Sequence, residues 1–190
     1  MSENEIVPSS NIEQIAWQKT GRKFIYPPIE KIPVIEVSNF PALGKLAALR
    51  FLEWVQDNPE GTISLPTGKT PEHFIKWVSH YLQAWQDAKT QADLEKNGID
   101  PGRYPRMDQL RFVQIDEFYP INPIQVNSFH HYIQQYYIRG FGLDPKKALL
   151  INAWTTGMSS TSTPDTAFPD GVVDLSLRTR HGKNYLENQQ

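Results

Sequence analysis

The sequence predicts an α/β fold, a parallel sheet with helices packed on both of its faces. Two observations predict it. Short β-branched runs alternate along the chain with amphipathic stretches at helical spacing, the pattern of parallel strands joined by crossover helices. The 190 residues are 39% hydrophobic and 21% charged, enough apolar material for one domain with a real core and too much for a disordered chain.

Taken in order, residues 1–32 form a polar, mixed N-terminal extension that closes on the proline-stiffened "YPPIEKIP". "VIEV" (34–37) predicts a short first strand. Ser38 or Asn39 then caps a helix with Pro41 in its first turn. Leu43, Ala47, Phe51 and Trp54 recur along one face of that helix, and "NPEG" (58–61) ends it. "TISLP" (62–66) is the second strand, and it runs directly into a glycine turn. Thr70 and Pro71 suit the cap and first turn of the next helix, which carries Phe74, Val78, Tyr81 and Trp85 on one face. Residues 86–109, with Gly98, Pro101, Gly102 and Pro105, read as a helix end and a long excursion. "LRFVQID" (110–116) is the third strand. Asn127 or Ser128 caps a helix containing Phe129, Tyr132, Ile133 and Tyr136, and "ALLIN" (148–152) is the fourth strand. From Thr155 the chain becomes Ser/Thr/Pro-rich and loses periodicity. The α/β domain is expected over 33–154, with an irregular segment over 155–190.

Composition narrows the partners. A net charge of −2 gives no basic footprint for nucleic acid. No apolar run approaches the roughly 20 residues that cross a membrane. The start, "MSENEIVPSSNIEQ", is polar and acidic rather than a secretory signal, so a cytoplasmic location is the default expectation. With no cysteine, the chain has no disulfide, no thiol catalyst and no cysteine-ligated metal.

Two stretches fall at the carboxyl ends of predicted strands, where parallel sheets bind ligands. The first is "SLPTGKT" (64–70). Its Gly68-Lys69-Thr70 ends like the phosphate loop of a nucleotide hydrolase, but six residues, Thr62 to Thr67, separate Gly68 from Gly61 where that loop has four. Pro66 also has no amide to donate. Another phosphate-binding arrangement remains open. The start of a helix presents free N–H groups at the positive end of its dipole, Thr67 and Thr70 add hydroxyls, Gly68 permits close approach and Lys69 adds charge. The alternative is an ordinary strand-to-helix turn. The second stretch is Asp116-Glu117. Neighbours on a strand point to opposite faces, so only one of the two should face a pocket. A carboxylate at a partly desolvated strand end can shuttle protons; the alternative is that Asp116 caps the loop and Glu117 is solvated. His73, His80, His130 and His131 lack the spacing of a metal site and read as structural or surface residues.

Together and in this order, "SLPTGKTP" (64–71), "VQIDEFYPI" (113–121), "VNSFHHYI" (126–133) and "ALLINAW" (148–154) resemble the glucosamine-6-phosphate isomerase/deaminase family. The resemblance implies a Rossmann-like fold and conversion of glucosamine 6-phosphate to fructose 6-phosphate and ammonia, without metal or redox cofactor. It implies that Thr67, Gly68, Lys69 and Thr70 lie in the sugar-phosphate site. Asp116 would move the proton between C2 and C1 through an enol(amine), with Glu117 supporting the site. A sugar phosphate is the implied partner, and a homo-oligomer is an expectation for the complete protein. The sister 6-phosphogluconolactonases, which are hydrolases, share the fold and a similar glycine turn but read Asp-Glu-Arg at the second motif. Here position 118 is Phe, and Asn127-Ser128-Phe129 matches the deaminase side.

The family's later Gly-x-Asp-Gly-His motif has no counterpart. "PDGVVD" (169–174) lacks the histidine, and "RHGKN" (180–184) has the order reversed. The expectation is therefore the front part of a longer enzyme with an incomplete sheet, or a degenerate copy that binds sugar phosphate without turning it over.

Overall fold

The computed structural model describes residues 10–20 and 34–155, together with 161, 162, 166, 169, 172–173 and 186–187. Three short parallel strands form the central sheet: β1 (Thr62–Ile63), β2 (Arg111–Val113) and β3 (Ala148–Leu149), in the order β1-β2-β3. Thr62 pairs with Arg111 and Ile63 with Phe112; Phe112 in turn pairs with Ala148 and Val113 with Leu149. The parallel α/β architecture predicted from the alternation is what the chain adopts. A separate antiparallel pair, β4 (Val172–Val173) and β5 (Leu186–Glu187), lies in the later segment.

The helices are α1 (Asn11–Thr20), α2 (Phe40–Asp57), α3 (Glu72–Gln83), α4 (Ala88–Lys96) and α5 (Phe129–Ile133), the last continuing as a π-helical stretch, Gln134–Arg139. Asn39 caps α2 by accepting from the Ala42 N–H at 2.9 Å, and Pro41 occupies its first turn, both as predicted. On α3 the predicted stripe of Phe74, Val78 and Tyr81 is buried, and so is Trp85 just beyond it. With Leu52, Val55 and Phe112 these residues form the middle of the core.

Five expectations need correction. Val34–Val37 forms no strand; β-branched residues favour extension, but a strand needs a ladder partner, and none stands beside this stretch among the described residues. Residues 11–20, read only as part of a polar, mixed N-terminal extension, form α1. Glu53 draws them in by accepting from Ser10 Oγ and from the Ile12 N–H, and Arg50 pairs with Glu13 at 3.3 Å. The excursion over 86–109 contains α4, tied down through Asp93, which meets Lys45 Nζ and Tyr81 Oη at 2.8 Å each. Thr70 does not cap α3: the capping position falls to Pro71, without a side-chain cap, because the turn's own backbone closes on itself from Glu72 N to Lys69 O at 3.2 Å.

The last correction concerns faces. Of the predicted stripe Leu43, Ala47, Phe51 and Trp54 on α2, only Phe51 enters the core. Leu43 and Ala47 are exposed and Trp54 is half-buried, and α2 reaches the core mainly through Gly44, Ala48, Leu49, Leu52 and Val55. Gly44 lets α3 approach: a Cβ there would lie 2.4 Å from His73 Cβ. Leu43, Ala47, Phe51 and Trp54 line an open apolar groove of about 640 Å³, shared with Ile63 and Leu65 beside β1. Likewise the π stretch, with its wider turn, buries Tyr137 completely and leaves Tyr136 39% exposed, where a regular 3.6-residue period predicts Tyr136 inside. Among the described residues no helix is long and apolar enough to cross a membrane.

Candidate functional site

The parallel register brings the two marked stretches to one edge of the sheet. Ile63 and Phe112 are paired, and Thr67 and Asp116 each stand four residues beyond that pair. Both therefore leave at the carboxyl ends of neighbouring strands. Ser64 Oγ, donating to Val113 O at 2.6 Å, ties the two exits together.

The glycine turn is built from the backbone outward. Gly68 has φ +89, and a Cβ placed on it would meet nothing within 4 Å. Glycine is required there by conformation and not by crowding. Gly68, Lys69 and Thr70 are exposed and Thr67 is half-buried. The N–H groups of Thr67 to Thr70 meet no acceptor among the described residues. The turn's carbonyls, by contrast, are held: Tyr132 Oη donates to Gly68 O at 2.8 Å, and Tyr137 Oη donates to Pro66 O. Burial first, then the neighbouring Tyr136 and Glu72, pushes the Tyr132 phenol up to about 12, so it stays protonated as a donor. The carboxylate of Glu72 in the first turn of α3 is answered by Lys76 at 2.5 Å, whose hydrogen bond and charge hold it below its ordinary value.

The carboxylate pair divides although β2 ends at Val113 and strand alternation does not reach it, Ile115 and Asp116 both being exposed. Glu117 turns inward: Oε1 accepts from the Phe118 and Phe129 N–H groups at 3.0 Å each, and Oε2 from the His130 N–H at 2.7 Å. Ser128, the residue that caps α5, accepts from the His131 N–H at 2.9 Å and donates to Pro123 O at 3.0 Å. Glu117 and Ser128 thus share the orphan amides at the start of α5. The loop between them is closed by the Phe118–Phe129 ring contact, 4.8 Å between centroids.

Three residues unremarked in the motif reading complete the arrangement. Gln114, buried in β2's exit, keeps a backbone bond to Leu149 O at 2.9 Å and extends the ladder with its side chain: Oε1 accepts from Ile151 N at 2.9 Å and Nε2 donates to Asp116 O at 2.8 Å. A glutamine inside the apolar run "RFVQI" was the available signal. Tyr132 was legible only as an apolar helix residue and Tyr137 was not marked at all; nothing local marks a hydroxyl that reaches a carbonyl more than sixty positions away. His130 is structural, its Nδ1 lying 3.1 Å from Ile151 O. Among the described residues no three His, Cys, Asp or Glu side chains stand close enough to share a metal ion.

The fold and the strand-end site define a Rossmann-like α/β protein. No family profile and no curated protein matches the chain. Among solved structures it is similar to a monomeric glucosamine-6-phosphate deaminase, described as a missing link of the NagB superfamily, with a TM-score of 0.52 and 18% identity. The match covers 64% of this chain and 43% of that one, so the chain spans less than half the neighbour's length. At this identity the likeness establishes the fold.

Proposed function

We propose that the chain binds an amino-sugar phosphate, glucosamine 6-phosphate before others, and carries the phosphate turn and proton-transfer carboxylate of an isomerase/deaminase. One observation carries this reading. The turn Thr67–Thr70, with unclaimed amides, and the exposed Asp116 leave paired parallel strands at the same edge. In this reading the phosphate rests on the amides of Gly68 to Thr70, with the Thr67 and Thr70 hydroxyls and the Lys69 ammonium around it. Asp116 takes the proton from C2 of the open-chain sugar and returns it to C1 through an enolamine. The C2 imine that results takes up water and releases ammonia, leaving fructose 6-phosphate. Glu117 is a positioning residue here, since backbone N–H groups occupy both of its oxygens. A cytoplasmic location, where phosphorylated sugars are retained, fits the reading.

A second reading, binding without turnover, is favoured by one feature of the sequence: the 190 residues contain no Gly-x-Asp-Gly-His. Calorimetry and an ammonia-release assay on the purified chain separate the two. Both readings require glucosamine 6-phosphate to bind. Under the first, Asp116→Asn keeps that binding and lowers ammonia release by about 10²–10⁴-fold, the usual cost of losing a general base. Under the second, the parent chain binds and releases none. Turnover that survives Asp116→Asn would remove Asp116 from the chemistry.

A further inference from the structure

We propose that Tyr132 and Tyr137 are positioning residues that aim the amides of the glycine turn, and that the Tyr132 hydroxyl sets the turn's affinity for a phosphate monoester. The inference rests on the phosphate reading of the turn and names the device that makes it work.

The argument follows from peptide geometry. A peptide unit is planar and trans, so its C=O and N–H point in opposite directions. The Gly68 carbonyl, held by Tyr132 Oη at 2.8 Å, shares its plane with the Lys69 N–H. Drawing that oxygen toward the helix of Tyr132 turns the Lys69 N–H the other way. The Pro66 carbonyl, held by Tyr137 Oη, fixes the Thr67 N–H in the same manner. The Lys69 carbonyl accepts from Glu72 N at 3.2 Å, which fixes the Thr70 N–H. Three peptide units of the turn therefore have their oxygens occupied by named donors and their N–H groups turned away from those donors, with no acceptor of their own among the described residues.

Such fixing is needed where it is found. Gly68, at φ +89, is the residue with most backbone freedom in the turn, and no atom lies within 4 Å of where its Cβ would stand. Without the Tyr132 bond the 68–69 peptide could rotate and present its carbonyl, an acceptor, to an anion. A hydroxyl donating to the carbonyl also polarises the amide and makes its N–H a better donor. Tyr136 serves as an internal control: its ring lies 4.6 Å from that of Tyr132, and its hydroxyl holds no turn carbonyl.

The test compares the full chain with Tyr132→Phe and Tyr136→Phe, using glucosamine 6-phosphate and inorganic phosphate as probes. Calorimetry reads affinity, and the Lys69 amide resonance reads the turn directly. Tyr132→Phe is expected to weaken both probes about three- to tenfold, the worth of one hydrogen bond. It should also shift the Lys69 amide before any ligand is added, and lower the thermal midpoint of the free protein by only about 2–4 °C, the worth of the one hydrogen bond lost. Tyr136→Phe should change neither affinity nor resonance. A parent that binds beside a Tyr132→Phe variant that binds equally well overturns this inference and leaves the phosphate reading standing. A parent that binds neither probe overturns the phosphate reading, and the inference with it.

Discussion

Glu117 commits both carboxylate oxygens to backbone N–H groups because the first amides of α5 have no intrahelical acceptor and the loop before it must be closed. Glu117→Gln keeps the shape but puts an NH₂ group against at least one of these donors. Hydrogen bonds to a charged acceptor contribute about 1.5–3 kcal/mol, so the variant is expected to lose about 2 kcal/mol of stability in urea denaturation. Asp116→Asn, on an exposed side chain one position earlier, should leave the midpoint where it is. Equal midpoints for the two variants would contradict the division of labour argued for the pair. The candidate positions stood out in the sequence because they sit on a turn and just past a strand end, where residue type answers to local geometry. Which carboxylate is engaged was not legible: the expectation was only that one of the two faces a pocket, and the pair lies beyond the end of β2. The partners of Glu117 are twelve and thirteen positions away and depend on how the loop folds back.

Elements were predicted best where one periodic face meets one core. α3 is such a case, and Phe74, Val78 and Tyr81 all lie inside. α2 has two apolar faces, and periodicity alone does not say which one the core takes. α1 and α4 are short and polar; each buries a single apolar residue in the core, Ile12 and Leu94, and is otherwise held by side chains from elsewhere rather than by a full apolar stripe. Asp93 shows this for α4. Burial works to raise its carboxyl, but the hydrogen bonds from Lys45 and Tyr81 and the charge of Lys45 outweigh it and hold it below its ordinary value of 3.8. A carboxylate with a lowered folded-state value contributes stability that is present above the unfolded value and lost as pH falls through the folded one. Asp93→Asn should therefore destabilise the protein at pH 7, and the gap from the parent should narrow as pH drops below about 4. Urea midpoints measured across that range check it. A gap that stays constant into acid would mean the ion pair carries none of the attachment.

At the scale of the whole molecule, three parallel strands gather the glycine turn and Asp116 at one edge, and α5 with its π extension braces that edge through Glu117, Tyr132 and Tyr137. The parallel pairing was legible because alternation of strand and helix leaves few topologies. The brace was not, since it consists of contacts between distant residues. A ligand bound at this edge touches elements on both sides of it and should stabilise the folded chain as a unit. Binding to the folded state alone adds RT ln(1 + [L]/Kd), about 2.7 kcal/mol at a hundredfold excess over Kd. For a chain of this length that corresponds to a rise of about 5–10 °C in thermal midpoint. Glucosamine 6-phosphate is expected to produce such a rise in the parent and in Asp116→Asn, because asparagine preserves the shape of the site. Gly68→Val should abolish it, since a β-branched residue at φ +89 forces the turn out of its conformation. Glucosamine without the phosphate should produce little or none. The unphosphorylated sugar separates the two parts of the argument. If it stabilises the parent as much as the phosphate ester does, the amides of the turn are not the anchor and the site lies elsewhere on the molecule.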